Sequence, residues 1–117
     1  MTDEIRILVV DDHPVVREGL RSYLTSREGF DVVGEAADVD GAVATASEVQ
    51  PDVVLLDLLD PDNAERLVSE IRAAAPGARI VVYSGYPPDA ARVAHGGADA
   101  YVEKSAPFSV LERAVLG

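Results

Sequence analysis

IRILVV, residues 5–10, is a short apolar run that ends at an acidic pair, Asp11 and Asp12. Its β-branched side chains are typical of a strand that is buried on both faces. Similar runs recur along the chain, and segments with the apolar spacing of helices separate them. This alternation predicts parallel strands joined by helical connections. The predicted strands cover residues 5–10, 32–36, 53–56, 79–83 and 100–102.

The connecting segments carry the signals of helices. Pro14 suits the first turn of a helix over residues 14–27. Asp40 is predicted to cap the second helix, and Asp62 or Asn63 is predicted to cap the third. Further helices are predicted over residues 88–95 and at Phe108, Leu111 and Val115.

Five strands that alternate with five helices predict a doubly wound α/β fold. We expect a flavodoxin-like five-stranded parallel sheet in the order 2-1-3-4-5, with helices on both faces. In such sheets, binding sites form beyond the carboxyl ends of the strands. The residues that follow each strand are therefore the candidates for a functional site.

Composition excludes several classes of protein. The chain has 117 residues, the size of one domain, and no cysteine, which excludes disulfides and thiolate chemistry. Its net charge of −11 opposes contact with nucleic acid, which depends on Lys and Arg side chains. The apolar runs are too short for a membrane-spanning helix, and the first residues lack the apolar core of a signal peptide. We therefore expect a cytoplasmic protein that does not enter a membrane.

Polar side chains follow four of the predicted strands. Asp11 and Asp12 follow the first, Asp57 the third, Ser84 the fourth and Lys104 the fifth. Each residue alone would be an ordinary turn or capping residue. Because parallel strands bring their carboxyl ends to one edge of the sheet, we expect all five side chains to lie near one another. Their recurrence at this edge indicates a site.

Three clustered carboxylates need a compensating charge. Two of them about 4 Å apart repel by about 4 kcal/mol at an effective dielectric constant of about 20. A bound cation or a retained proton relieves that repulsion, and oxygen ligands of this kind suit Mg²⁺. A carboxylate beside such a metal and the Lys104 ammonium can attack phosphorus and hold an acyl phosphate. The Ser84 hydroxyl and the Gly85 N–H could then receive the phosphoryl oxygens.

With these residues in view, the chain resembles response-regulator receiver domains over nearly its whole length, so residues 1–117 are expected to form one receiver domain. The segment IRILVVDDHPVVREGLRSYL, residues 5–24, is similar to the start of the subgroup that carries a LuxR-type helix-turn-helix output domain. Three further segments resemble the family at its functional positions: PDVVLLDLLDP (51–61), RIVVYSG (79–85) and GGADAYVEKSA (96–106).

The resemblance implies a metal and phosphoryl chemistry for the acidic residues. Asp57 would be the phosphoacceptor. Asp12 and Asp57 would bind Mg²⁺ directly, with the Leu59 carbonyl as a further ligand, and Asp11 would act through water. His13 is similar to the usual residue of the subgroup at this position, and it is given no catalytic role.

The resemblance also implies a conformational switch. Ser84 and Lys104 would contact the phosphoryl group, and Tyr101 would be the aromatic side chain that changes rotamer together with Ser84. The protein would catalyse only its own phosphorylation and dephosphorylation, so it would not be an enzyme in the ordinary sense. The implied partner is a sensor histidine kinase, and a homodimer stays open. DNA would be contacted only through an output domain that residues 1–117 do not include.

Three alternatives stay open to different degrees. The loop after Asp57 and the stretch from Ser84 to Lys104 are short for the family, which favours a pseudo-receiver that docks proteins without phosphorylation. The complete set of acidic, serine and lysine residues argues against that alternative. A haloacid-dehalogenase-like phosphatase would usually place a second Asp two residues after the first, where this chain has Leu59. A flavin carrier is disfavoured because the acidic loop after the first strand would repel a phosphate group.

Overall fold

The computed structural model describes residues 4–57, 64–85 and 97–117. The strands are β1 (Ile5–Val10), β2 (Phe30–Ala36), β3 (Val53–Leu56), β4 (Arg79–Ser84) and β5 (Ala100–Glu103). The helices of the described residues are α1 (Pro14–Ser26), α2 (Val39–Val49), α3 (Ala64–Ala74) and α4 (Phe108–Leu116). All strands are parallel, in the order β2-β1-β3-β4-β5, so the predicted fold and strand order are confirmed.

The core is divided between the two faces of the sheet because side chains alternate along each strand. Leu8 and Val10 of β1 belong to the face that packs against α2 and α3. Ile7 and Val9 belong to the opposite face, which packs against α1 and α4. These four residues of β1 are buried, as expected for a parallel sheet covered on both sides.

Several predicted boundaries are corrected. The second strand begins at Phe30, not at residue 32, because Phe30 pairs with Ile5 and buries its ring. The cap of α2 is Asp38, not Asp40: the Asp38 carboxylate accepts a hydrogen bond of 2.7 Å from the Gly41 amide. The fourth and fifth strands each extend one residue further than predicted, to Ser84 and Glu103, which face each other in the sheet.

Some predictions lie outside the described residues. These are the cap at Asp62 or Asn63, the helix over residues 88–95, and the position of Leu59. No helix in the described parts of the chain is both long and apolar enough to cross a membrane.

Backbone hydrogen bonds hold the site residues at the carboxyl edge of the sheet. The Asp11 amide donates to the Ala36 carbonyl at 3.0 Å, and the Asp57 amide donates to the Val10 carbonyl at 2.9 Å. The Lys104 amide donates to the Ser84 carbonyl at 2.9 Å. The first residue after β1, β3 and β5 is therefore fixed by a hydrogen bond to the neighbouring strand, which places its side chain at the carboxyl edge of the sheet.

Candidate functional site

Lys104 connects the ends of β1 and β3. Its Nζ lies 3.2 Å from Asp57 Oδ2 and 3.3 Å from Asp11 Oδ2. Asp11 and Asp57 are buried, with 1% and 6% of their surface exposed. Two carboxylates with little access to water therefore share one ammonium group, as the strand ends predicted.

Asp12 and His13 complete the acidic mouth of the site. His13 Nδ1 lies 2.9 Å from Asp12 Oδ1, 3.2 Å from Asp11 Oδ1 and 3.9 Å from Asp57 Oδ2. Sequence reasoning gave His13 no part in the site. The position of His13 in the sequence could have indicated its place in the site. His13 lies between the acidic pair and Pro14, and the residue before the first helical turn lies beside the strand end. We call Asp11, Asp12 and Asp57 the acidic pocket.

Burial and neighbouring charges shift the pKa values of Asp57 and Lys104. Burial raises the pKa of Asp57, and the charges of Asp11 and Asp12 act in the same direction, while Lys104 opposes them. Burial acts to lower the pKa of Lys104, but the attraction of Asp57 and Asp11 outweighs it, so the pKa of Lys104 is raised. Both shifts describe a buried site that is short of positive charge.

Ser84 and Tyr101 lie on the neighbouring strands β4 and β5. Ser84 is fully buried at the end of β4, and Tyr101 of β5 pairs with Val82, two residues before Ser84. Burial raises the pKa of the Tyr101 phenol, and a side-chain hydrogen bond with Ser84 acts against that increase. The side chains of the two predicted switch residues therefore lie close enough to interact.

Comparison with known proteins identifies the family. The family model of the response regulator receiver domain matches residues 7–116. This chain belongs to the response regulator receiver domain family. It is therefore a receiver of two-component signalling and not a conventional enzyme.

This receiver domain is similar to individual response regulators. The response regulator protein VraR of Staphylococcus epidermidis is 37% identical over 115 residues, which are 95% of this chain and 54% of VraR. The chain thus spans about half the length of the curated relatives it matches. A LuxR-family response regulator from Aurantimonas sp. SI85-9A1 superposes with a TM-score of 0.88 at 36% identity, covering 97% of this chain and 84% of that one.

A more distant structure carries a metal and a phosphate mimic. It is a chain of the CheX–CheY–BeF3–Mg²⁺ complex from Borrelia burgdorferi, with a TM-score of 0.83 at 25% identity, covering 97% of this chain and 88% of that one. In this receiver domain, Asp11, Asp12, His13 and Asp57 each offer one ligand atom, and these atoms lie within 4.8 Å of one another. The cluster is consistent with a site for a divalent cation.

Proposed function

We propose that this receiver domain accepts a phosphoryl group on Asp57 from a sensor histidine kinase, in the presence of Mg²⁺, and changes conformation to control a transcriptional output. Residues 1–117 act as one domain in this proposal. The observation that carries it is the contact of 3.2 Å between Lys104 Nζ and Asp57 Oδ2, at a carboxylate that is buried beside Asp11.

Asp57 is suited to act as the nucleophile. One of its carboxylate oxygens forms a bond to phosphorus while the bond from phosphorus to the nitrogen of the donor histidine breaks, and that nitrogen keeps the electron pair. The pKa of Asp57 is raised because its buried carboxylate is less stabilised than a carboxylate in water. A less stabilised carboxylate oxygen is a more reactive nucleophile. Lys104 is close enough to Asp57 to stabilise the charge that develops on the phosphoryl oxygens.

The acidic pocket fits Mg²⁺, a cation that prefers carboxylate oxygens and water. We assign Asp12 and Asp57 as direct ligands, Asp11 as a ligand through water, and the Leu59 carbonyl as a further ligand. Bound Mg²⁺ supplies the positive charge that lets carboxylate and phosphoryl oxygens come together. The similar Borrelia complex contains Mg²⁺ and BeF3, which supports a divalent cation in this site.

Ser84 and Tyr101 are suited to report phosphorylation. The phosphoryl group adds three acceptor oxygens next to Asp57, and these compete with Tyr101 for the Ser84 hydroxyl. Loss of the interaction between Ser84 and Tyr101 then favours a new rotamer of Tyr101, whose ring is partly buried against the core. This exchange links the chemistry at Asp57 to the surface of β5.

The remaining partners follow from the family and from charge. Because the curated relatives are about twice as long as this chain, we assign DNA contact to an output domain outside residues 1–117. The net charge of −11 makes direct contact between this domain and DNA unfavourable. A homodimer and a cytoplasmic location belong to the same proposal.

Binding of beryllofluoride in the presence of Mg²⁺ tests the proposal, because this ion mimics a phosphoryl group on a carboxylate. Calorimetry should detect binding to the parent chain and no binding to Asp57→Asn. Asp31→Asn is the matched control, since Asp31 is exposed on β2 and should leave binding unchanged. A parent chain that does not bind beryllofluoride would contradict the proposal and favour a pseudo-receiver that only docks proteins.

A further inference from the structure

The His13 ring lies over the acidic pocket and remains open to solvent. Its side chain is 66% exposed, and His13 immediately precedes the first residue of α1. The His13 amide donates a hydrogen bond of 2.8 Å to Asp11 Oδ1, and its carbonyl accepts one of 2.9 Å from the Arg17 amide. Both the amide and the carbonyl of His13 are therefore hydrogen-bonded. The start of α1 thus holds the imidazole near the acidic pocket.

The distances fit a shared cation. Two atoms that bind one ion at about 2.1 Å each can lie no more than about 4.2 Å apart. His13 Nδ1 lies 2.9 Å from Asp12 Oδ1, 3.2 Å from Asp11 Oδ1 and 3.9 Å from Asp57 Oδ2. All three separations fall below that limit. The ring nitrogen can therefore bind the same ion as any of the three carboxylates.

We propose that His13 is a direct ligand of the divalent cation and that its nitrogen gives the site a preference for nitrogen-binding transition metals such as Ni²⁺ over Mg²⁺. The inference rests on the proposed metal site and adds a ligand to it. Imidazole nitrogen binds Ni²⁺ and other first-row transition ions well, whereas Mg²⁺ selects oxygen ligands and retains its waters. The site then binds Mg²⁺ through its carboxylates and gains affinity for a transition metal through His13.

Metal selectivity tests the inference. Calorimetry at one fixed pH should be carried out with Mg²⁺, Mn²⁺ and Ni²⁺ on the parent, His13→Asn and His95→Asn. Asparagine suits the position before a helix and lacks the ring nitrogen. We expect His13→Asn to weaken Ni²⁺ binding by about tenfold or more and Mg²⁺ binding by less than about threefold. His95→Asn, which removes the other histidine of the chain, should match the parent.

A spectroscopic measurement identifies the ligand itself. With Mn²⁺ bound, electron spin echo spectra of the parent should show coupling to a histidine nitrogen, and this coupling should be absent from His13→Asn and present in His95→Asn. Equal loss of affinity for all three cations in His13→Asn, or nitrogen coupling that persists in that variant, would overturn the inference. Normal Mg²⁺ binding with unchanged selectivity in His13→Asn would overturn it while leaving the proposed receiver function intact.

Discussion

Lys104 Nζ lies 3.2 Å from Asp57 Oδ2, and the pKa values of both residues are raised. Burial is the larger cause for Asp57, while attraction to Asp57 and Asp11 overcomes burial for Lys104. One ammonium group thus faces two buried carboxylates, and Asp12 adds a third at the mouth of the pocket. This imbalance of charge is the physical reason that we expect the site to take up a cation.

Lys104→Ala should destabilise the domain, because it leaves Asp11 and Asp57 without their nearby cation. The expected loss is roughly 2 kcal/mol, less than for a fully buried pair since Lys104 is partly exposed. Urea unfolding measures the change. Arg66→Ala is the control: it removes an exposed ion pair with Glu70 and should change stability by no more than about 0.5 kcal/mol. If Lys104→Ala and Arg66→Ala lowered the free energy of unfolding equally, Lys104 would not balance the charges of Asp11 and Asp57.

Asp57→Asn should stabilise the metal-free domain at neutral pH by about 1 kcal/mol, because it removes a buried charge and leaves Lys104 paired with Asp11. The pKa of Asp57 is higher in the folded protein than the value of 3.8 in the unfolded protein, so protonated Asp57 stabilises the folded protein below pH 3.8. This stabilisation is lost as the pH rises through the pKa that Asp57 has in the folded protein. The advantage of Asp57→Asn over the parent should therefore be smaller near about pH 3 than near about pH 7. An advantage that is larger at the acidic pH would refute this assignment.

Asp12→Ala should weaken Mg²⁺ binding by at least about tenfold, because Mg²⁺ requires near-octahedral oxygen ligands. The same substitution should leave the metal-free domain slightly more stable, by about 0.5 kcal/mol, since it relieves repulsion at a half-exposed position. Calorimetry with Mg²⁺ and unfolding in a chelator measure the two effects. Asp31→Ala, at an exposed position of β2, is the control. Unchanged Mg²⁺ affinity in Asp12→Ala would rule out its role as a ligand.

Tyr101→Phe and Ser84→Ala should have non-additive effects, because the hydroxyl groups of Tyr101 and Ser84 lie close enough to interact. The expected coupling free energy is about 1 kcal/mol. Urea unfolding of the two single variants and the double variant gives this value. Tyr23→Phe supplies the control, since Tyr23 bonds to Glu112 on another part of the fold and should be additive with Ser84→Ala. If the effects of Tyr101→Phe and Ser84→Ala on the free energy of unfolding were additive, the proposed connection between β4 and β5 would be wrong.

The fold could be predicted because its central strands are apolar on both faces. β1 and β3 begin and end where the sequence predicted, since their apolar runs have clear limits. The start of β2 could not be predicted in this way, because exposed Asp31 interrupts the apolar run after Phe30 and only pairing with β1 extends the strand. Likewise, Asp38 and Asp40 are both good capping residues, and the position of the preceding strand decides between them.

The part of the candidate site that lies at the ends of the strands could be predicted from the sequence. Asp11, Asp57 and Lys104 meet because each follows a parallel strand. His13 could not be found from periodicity, because its contribution depends on the direction of a side chain at the start of α1. The proximity of Ser84 and Tyr101 likewise depends on the register of β4 and β5, and the sequence supplied only the two residue types.

Chemical mapping of the phosphorylated residue is the most direct test of the central proposal. The chain is treated with acetyl phosphate and Mg²⁺, and borohydride then reduces any aspartyl phosphate to homoserine, which lacks one oxygen and carries two more hydrogens than aspartic acid. Mass spectrometry of the peptides should find homoserine at position 57 in the parent chain and at no position in Asp57→Asn. Homoserine at another aspartate of the parent, or equal phosphorylation of Asp57→Asn, would contradict the assignment of Asp57 as the phosphoacceptor.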